Sequence, residues 1–118
     1  GAQLIVREDK ESPLAKEGIG EVHHIALRVD SHGALKAWEE LYEQNKFHHS
    51  GYVDRYYFGA LYVRINRVLF ELSSDEPGFT VDEPYETLGE SLALPGKFAG
   101  NRDEIEQLIK PFDTTVTK

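Results

Sequence analysis

Two residues in this sequence have the side-chain chemistry of a divalent-metal site, the imidazole of His24 and the carboxylate of Glu71. Each lies in a stretch that alternates with period two. Across residues 68–73, Val68, Phe70 and Leu72 form an apolar set while Leu69, Glu71 and Ser73 project the other way. Across residues 22–29, Ile25, Leu27 and Val29 are the more apolar set and are expected to face a helix, which leaves His24 and Arg28 on the opposite sheet face. A carboxylate flanked by Leu69, Phe70 and Leu72 must be solvated, ion-paired or metal-bound, because burying it alone is prohibitively costly. If the two stretches are neighbouring strands, His24 and Glu71 stand side by side. Two histidines and one carboxylate on one face make the non-haem iron pattern, and two of those three groups are evident. The plainer alternative is a solvated strand face on which His24 and Glu71 have structural parts.

Tyr62 is the third candidate. It shares a face with Tyr56, Phe58, Ala60 and Arg64, where a phenol could hydrogen-bond an oxyanion or an aromatic hydroxyl; the competing reading is core packing. The other histidines carry less. His23 is expected on the helix side as a hydrogen-bonded core residue and His32 at the surface beside a helix cap. His48 and His49 open a strand and are expected to be exposed, either being a candidate acid or base. Gly-rich phosphate loops, nucleophile elbows and paired catalytic carboxylates are absent from the sequence.

The elements that must position these groups read as follows. Residues 3–6 are a short apolar strand, followed by a charged linker closed by Pro13. After the strand at 22–29, Ser31 caps a helix in which Ala34, Leu35, Trp38, Leu41, Tyr42 and Asn45 recur near a period of 3.6 and pack on the sheet. Three extended stretches follow at 47–54, 56–64 and 68–73, rich in aromatic and β-branched residues, with a tight break at Ile65-Asn66-Arg67. The order is β-α-β-β-β. Beyond Ser74 the texture turns acidic and turn-forming, and a helix is predicted from Asn101 or Arg102 to Lys110, ended by Pro111. The fold class is therefore α+β: one βαβββ module at 21–75, a segment 1–20 before it, and a tail with a short helix at 76–118.

Composition narrows the partners. The chain has 118 residues, room for one modest core, and a formal net charge of -8 without a basic cluster, which disfavours nucleic acid and anionic lipid. No apolar run approaches a membrane span and no signal peptide is evident, so a soluble protein is expected, and the absence of cysteine fits a reducing cytoplasm. Gly1 in place of Met suggests a cut-down protein.

The run Val22-His23-His24-Ile25-Ala26-Leu27-Arg28-Val29 resembles the opening strand of the second module of bacterial glyoxalase-like ring-cleaving dioxygenases, in the glyoxalase, bleomycin resistance and extradiol dioxygenase superfamily. The similarity continues in order through Asp54-Arg55-Tyr56-Tyr57-Phe58, Leu69-Phe70-Glu71-Leu72 and Asp75-Glu76-Pro77-Gly78-Phe79, and through Leu88-Gly89-Glu90 and Leu94-Pro95, covering about residues 18–111. The resemblance implies a curved mixed sheet of strand order 1-4-3-2. It implies His24 and Glu71 as ligands of Fe(II) or another divalent ion, and Tyr62 as a residue facing a hydroquinone- or catechol-like substrate. Residues 1–20 would then hold the last strand of a preceding module and its linker, and that module would supply the third ligand. The fragment alone is expected to be inactive and the intact protein to be a homodimer acting on a small aromatic and dioxygen. The resemblance also admits a glyoxalase-type lyase or isomerase, and a metal-free module that binds aromatic ligands as resistance proteins do. One departure stands out: the family's longer Pro-Gly-Gly turn before the Glu-bearing strand is replaced by Arg64-Ile65-Asn66-Arg67-Val68.

Overall fold

A computed structural model describes residues 3–111. Strand β1 (Ile25–Val29) leads through Ser31 into helix α1 (His32–Gln44), and β2 (His49–Asp54), β3 (Phe58–Ile65) and β4 (Val68–Pro77) follow. The Ser31 side chain accepts a hydrogen bond from the Ala34 amide, the N-cap that its position predicts. The strands form one mixed sheet in the order β1-β4-β3-β2, with β1 parallel to β4 and the other pairs antiparallel. The β1–β4 neighbour relation is long-range in sequence and places the two chemistry-bearing strands side by side. The α+β, βαβββ expectation is met.

Helix α1 covers one face of the sheet. Val29, Leu35, Tyr42, Leu61, Val63 and Leu72 form the core, with Ala34 and Phe70 packed against it. Leu27 is in register with Leu72 and Leu72 with Leu61, so the alternation of all three strands is phased to the same side. Trp38 departs from the expectation. It is 41% exposed, as is Leu41 at 43%, because Leu35 and Tyr42, seven residues apart on one stripe, already fill the contact, and the indole lies against the Tyr42 ring instead. Gly59 is needed where it stands: an added Cβ would lie 2.6 Å from the Tyr52 ring and 3.0 Å from both His32 and Leu35.

Element ends differ from the sequence reading for identifiable reasons. β1 begins at Ile25, not at residue 22, since the parallel ladder starts at Ile25↔Phe70 and the residues before it have no strand to pair with. His23 is accordingly exposed and not a core residue, a correction of the alternation argument, which fails where the ladder stops. Residues 3–6 are exposed and form no strand, because no sheet edge within the described residues runs beside them. Lys46 and Tyr56 have φ of 58° and 72°, so β2 starts at His49 and β3 at Phe58. β4 runs on to Pro77, past Ser73.

The tail is a series of 3-10 turns followed by helix α2 (Arg102–Leu108), which starts at one of the two expected positions and ends two residues before Lys110, with no side-chain cap from Asn101. Tyr57 ties the tail's start to the sheet: its carbonyl accepts from the Gly78 amide at 2.8 Å, its hydroxyl donates to Asp82 at 3.0 Å, and its ring packs on Phe79. Among the described residues no helix is long and apolar enough to cross a membrane.

Candidate metal and substrate site

The sheet face opposite α1 collects the groups singled out above. Glu71 lies on β4 between the β1 residue Ala26 and the β3 residue Tyr62, its register partners on either side. The residue is buried, 3% exposed, and its two oxygens are both engaged. Oε2 lies 2.8 Å from Nε2 of His24, and Oε1 accepts from the Ser73 hydroxyl at 2.9 Å. A carboxylate this deep is tolerated because each of its oxygens has a partner. His24 precedes the first residue of β1, yet its ring follows the strand's line onto this face and remains partly exposed, at 36%.

The second imidazole nitrogen of His24, Nδ1, lies 2.9 Å from Nδ1 of His23. One ring must donate and the other accept; because Nε2 faces the acceptor-only Glu71 carboxylate, a neutral His24 carries its proton there and accepts from His23 at Nδ1. The sequence reading missed this pairing, since strict alternation sends adjacent residues to opposite faces; the irregular backbone ahead of β1 brings them together.

Tyr62 stands on the same face, its ring 6.1 Å from the His24 ring and edge-on to it. Burial raises its pKa most, the Glu71 carboxylate also raises it, and a hydrogen bond from Arg55 pulls the other way; the net direction is upward, so the phenol stays protonated and able to donate. The Arg55 Nε–H donates to the Tyr62 hydroxyl at 3.1 Å while the guanidinium lies 5.5 Å from the Tyr62 ring centroid. The amide of Tyr62 donates to the Ser50 hydroxyl at 2.9 Å, across a register shift between His49 and Tyr52 where Gly51 takes φ of 69°. Arg55 and Ser50 therefore belong to the site and were not candidates from sequence. Their one signal was the Asp54-Arg55-Tyr56-Tyr57-Phe58 run, a cation amid aromatic residues at a turn.

The remaining histidines lie elsewhere. His32 contacts Tyr52 and the Glu76 carbonyl on the helix side, and His49 accepts from the Gly51 amide and lies against Tyr42. Neither reaches His24. Among the described residues no group of three or more His, Cys, Asp or Glu side chains gathers as a metal cage.

The sheet order β1-β4-β3-β2 thus carries an imidazole–carboxylate pair on the face opposite α1. No family model matches the chain. Curated relatives do: a Bacillus subtilis protein named "Putative ring-cleaving dioxygenase MhqA" is 47% identical over 109 residues, 92% of this chain and 34% of its own length. A second, "Putative ring-cleaving dioxygenase MhqO" of the same organism, is 39% identical over 97 residues, 81% of this chain and 31% of its own. The crystal structure of a "putative dioxygenase from Bacillus subtilis" superposes with a TM-score of 0.79 at 36% identity, covering 90% of this chain and 35% of that one. The chain is a module of the ring-cleaving dioxygenase type. It spans about a third of the length of the curated relatives it matches, 34% and 31% of the two named.

Proposed function

We propose that this module contributes His24 and Glu71 to a divalent-metal centre, with Fe(II) the preferred ion, in a dioxygenase that cleaves hydroquinone- or catechol-like rings. The observation that carries the reading is the 2.8 Å approach of His24 Nε2 to Glu71 Oε2 on the sheet face opposite α1. Two ligands held at about 2.0–2.1 Å and roughly a right angle around one ion lie about 2.9 Å apart, so the pair fits such an ion with little rearrangement. The donor set suits the chemistry as well: imidazole plus carboxylate favours Fe(II), Mn(II) or Zn(II) over calcium or magnesium. The third protein donor is assigned to the part of the intact protein outside this chain.

When bound, a divalent iron supplies the Lewis acidity and the redox chemistry needed to insert both atoms of dioxygen as a ring carbon–carbon bond breaks. The chain's own residues do the rest. Ser73 holds Glu71 so that one carboxylate oxygen faces His24. With Nε2 given to an ion, His24 would carry its proton on Nδ1 and donate it to His23 Nδ1 at 2.9 Å, the orienting role that a neighbour on the far ring nitrogen has in metal sites. Tyr62, kept protonated by burial, presents a hydroxyl to a ring oxygen of the substrate and stabilises charge that develops there, while Arg55 holds that hydroxyl in place. Both sheet edges are unpaired within the described residues, and pairing of two copies of the intact protein is the arrangement assigned to cover them.

The test is oxygen consumption by the iron-loaded full-length protein with a hydroquinone. The reading predicts about one dioxygen taken up per ring opened, both events lost together in Tyr62→Phe/His24→Ala. Turnover of substrate without oxygen uptake would instead indicate a lyase or isomerase.

A further inference from the structure

The turn between β3 and β4 has an unusual geometry. Ile65 pairs with Val68, so Asn66 and Arg67 alone make the turn, with φ of 49° and 80°. A two-residue hairpin of this kind selects Asn at its first position and Gly at its second, because both central residues are left-handed. Asn66 conforms. Arg67 places a long cationic side chain where glycine is preferred, and its carbonyl accepts a hydrogen bond from Nη1 of Arg64 at 2.9 Å. The strained residue thereby also anchors a second guanidinium, and Arg64 lies on the Tyr62 face of β3.

Both guanidiniums border a cleft of about 850 Å3 that extends to His23 and His24. That volume lies within the range of small-molecule sites. Among the described residues neither arginine is within 4.0 Å of a carboxylate; the five ion pairs all lie elsewhere. Lys16 lines the cleft too. The carboxylates there are Glu17 and Glu21, and Glu21 is engaged by the Gly18 amide at 3.1 Å. On a chain of net charge -8, two guanidiniums without a carboxylate partner lining the same cleft as His24 are a local reversal of sign.

We propose that Arg64 and Arg67 form a subsite for an anionic ring substituent, so that the aromatics this protein prefers carry a carboxylate positioned away from the ring oxygens at His24 and Tyr62. This rests on the reading of the His24–Glu71 face as the substrate face. A guanidinium fork matches a carboxylate in plane, two donors to two oxygens, which an ammonium does not.

Calorimetric titration of the metal-free full-length protein with 4-hydroxybenzoate and with its neutral counterpart 4-hydroxybenzamide tests the proposal. Wild type is expected to bind the carboxylate about tenfold more tightly, with the preference shrinking as salt rises. Arg67→Gly, which suits the left-handed turn and so preserves the hairpin, and Arg64→Gln are each expected to reduce that preference to about twofold or less, with the amide's affinity unchanged. Equal affinity for the two probes in wild type, or a preference retained in Arg67→Gly, overturns the subsite. Displacement of 4-hydroxybenzoate by equimolar inorganic phosphate also overturns it, since the site would then take free anions and not a ring substituent. Failure of the metal reading is separately visible: iron retained by His24→Ala refutes that reading and leaves the titration result standing.

Discussion

Replacing His24 by alanine perturbs the site in a way whose size follows from the structure. In chelator-treated protein, Glu71, which is 3% exposed with His24 in place, loses its Oε2 partner and keeps the Ser73 hydroxyl at 2.9 Å donating to Oε1. Removing one member of a fully buried pair costs about 3–5 kcal/mol. Here the His24 side chain is 36% exposed, so water enters the space it vacates, and the Ser73 bond persists; the expected loss is about 1–3 kcal/mol. At about 2–4 °C per kcal/mol, that is a drop of roughly 2–12 °C in the melting midpoint of the full-length protein. Glu71→Gln should cost less than His24→Ala, because an amide at this position has no charge to strand. The double variant should fall short of the summed losses by about 1–2 kcal/mol, the signature of two groups in contact. Repeating the melts with Fe(II) or Mn(II) at about a hundredfold excess over its dissociation constant adds about 2.7 kcal/mol to wild type and nothing to either variant. An unaltered midpoint of His24→Ala in chelator, together with a metal-dependent rise equal to wild type, would refute the reasoning.

Tyr62→Phe retains the ring against His24 and removes the hydroxyl that Arg55 engages, so kcat/KM for the intact enzyme should fall about ten- to a hundredfold while metal content, read by elemental analysis, is unchanged. Gly59→Ala forces a methyl to within 2.6 Å of the Tyr52 ring and should destabilise by about 1–2 kcal/mol in urea unfolding, at the low end of overpacking because Tyr52 is 49% exposed and can swing aside. The Asp75 carboxyl, hydrogen-bonded by Arg28 from β1, is held below the usual carboxylate range. A depressed folded-state pKa contributes stability above the unfolded value and loses it as pH falls through the folded one, so Asp75→Asn should lower the midpoint slightly near neutral pH and not at all once acid has protonated the folded-state carboxyl.

The parts of this site that the sequence revealed are those governed by alternation inside a paired strand. Val68, Phe70 and Leu72 oppose Glu71 as read, and Leu61 and Leu72 meet in the core with Tyr62 and Glu71 paired on the other face. The neighbouring of β1 and β4 was not available from periodicity and came from the ordered resemblance. What escaped lies where regular backbone ends. His23 was assigned to the core because strand geometry was extended three residues too far, and it touches His24 instead. Arg55 reaches Tyr62 from a turn after a bulged strand, a register no pattern of residue types specifies. Trp38 and Leu41 fell off the packed stripe because a helix laid on a four-stranded sheet buries only a narrow line, here centred on Leu35 and Tyr42.

The most direct test of the central claim is metal stoichiometry. The full-length protein and its His24→Ala and Glu71→Gln variants would be reconstituted anaerobically with Fe(II), passed through a desalting column and assayed for iron per protomer. The account predicts about one iron in wild type and about a tenth or less in each variant, the variants remaining folded by circular dichroism. Iron retained at the wild-type level by both variants would contradict it.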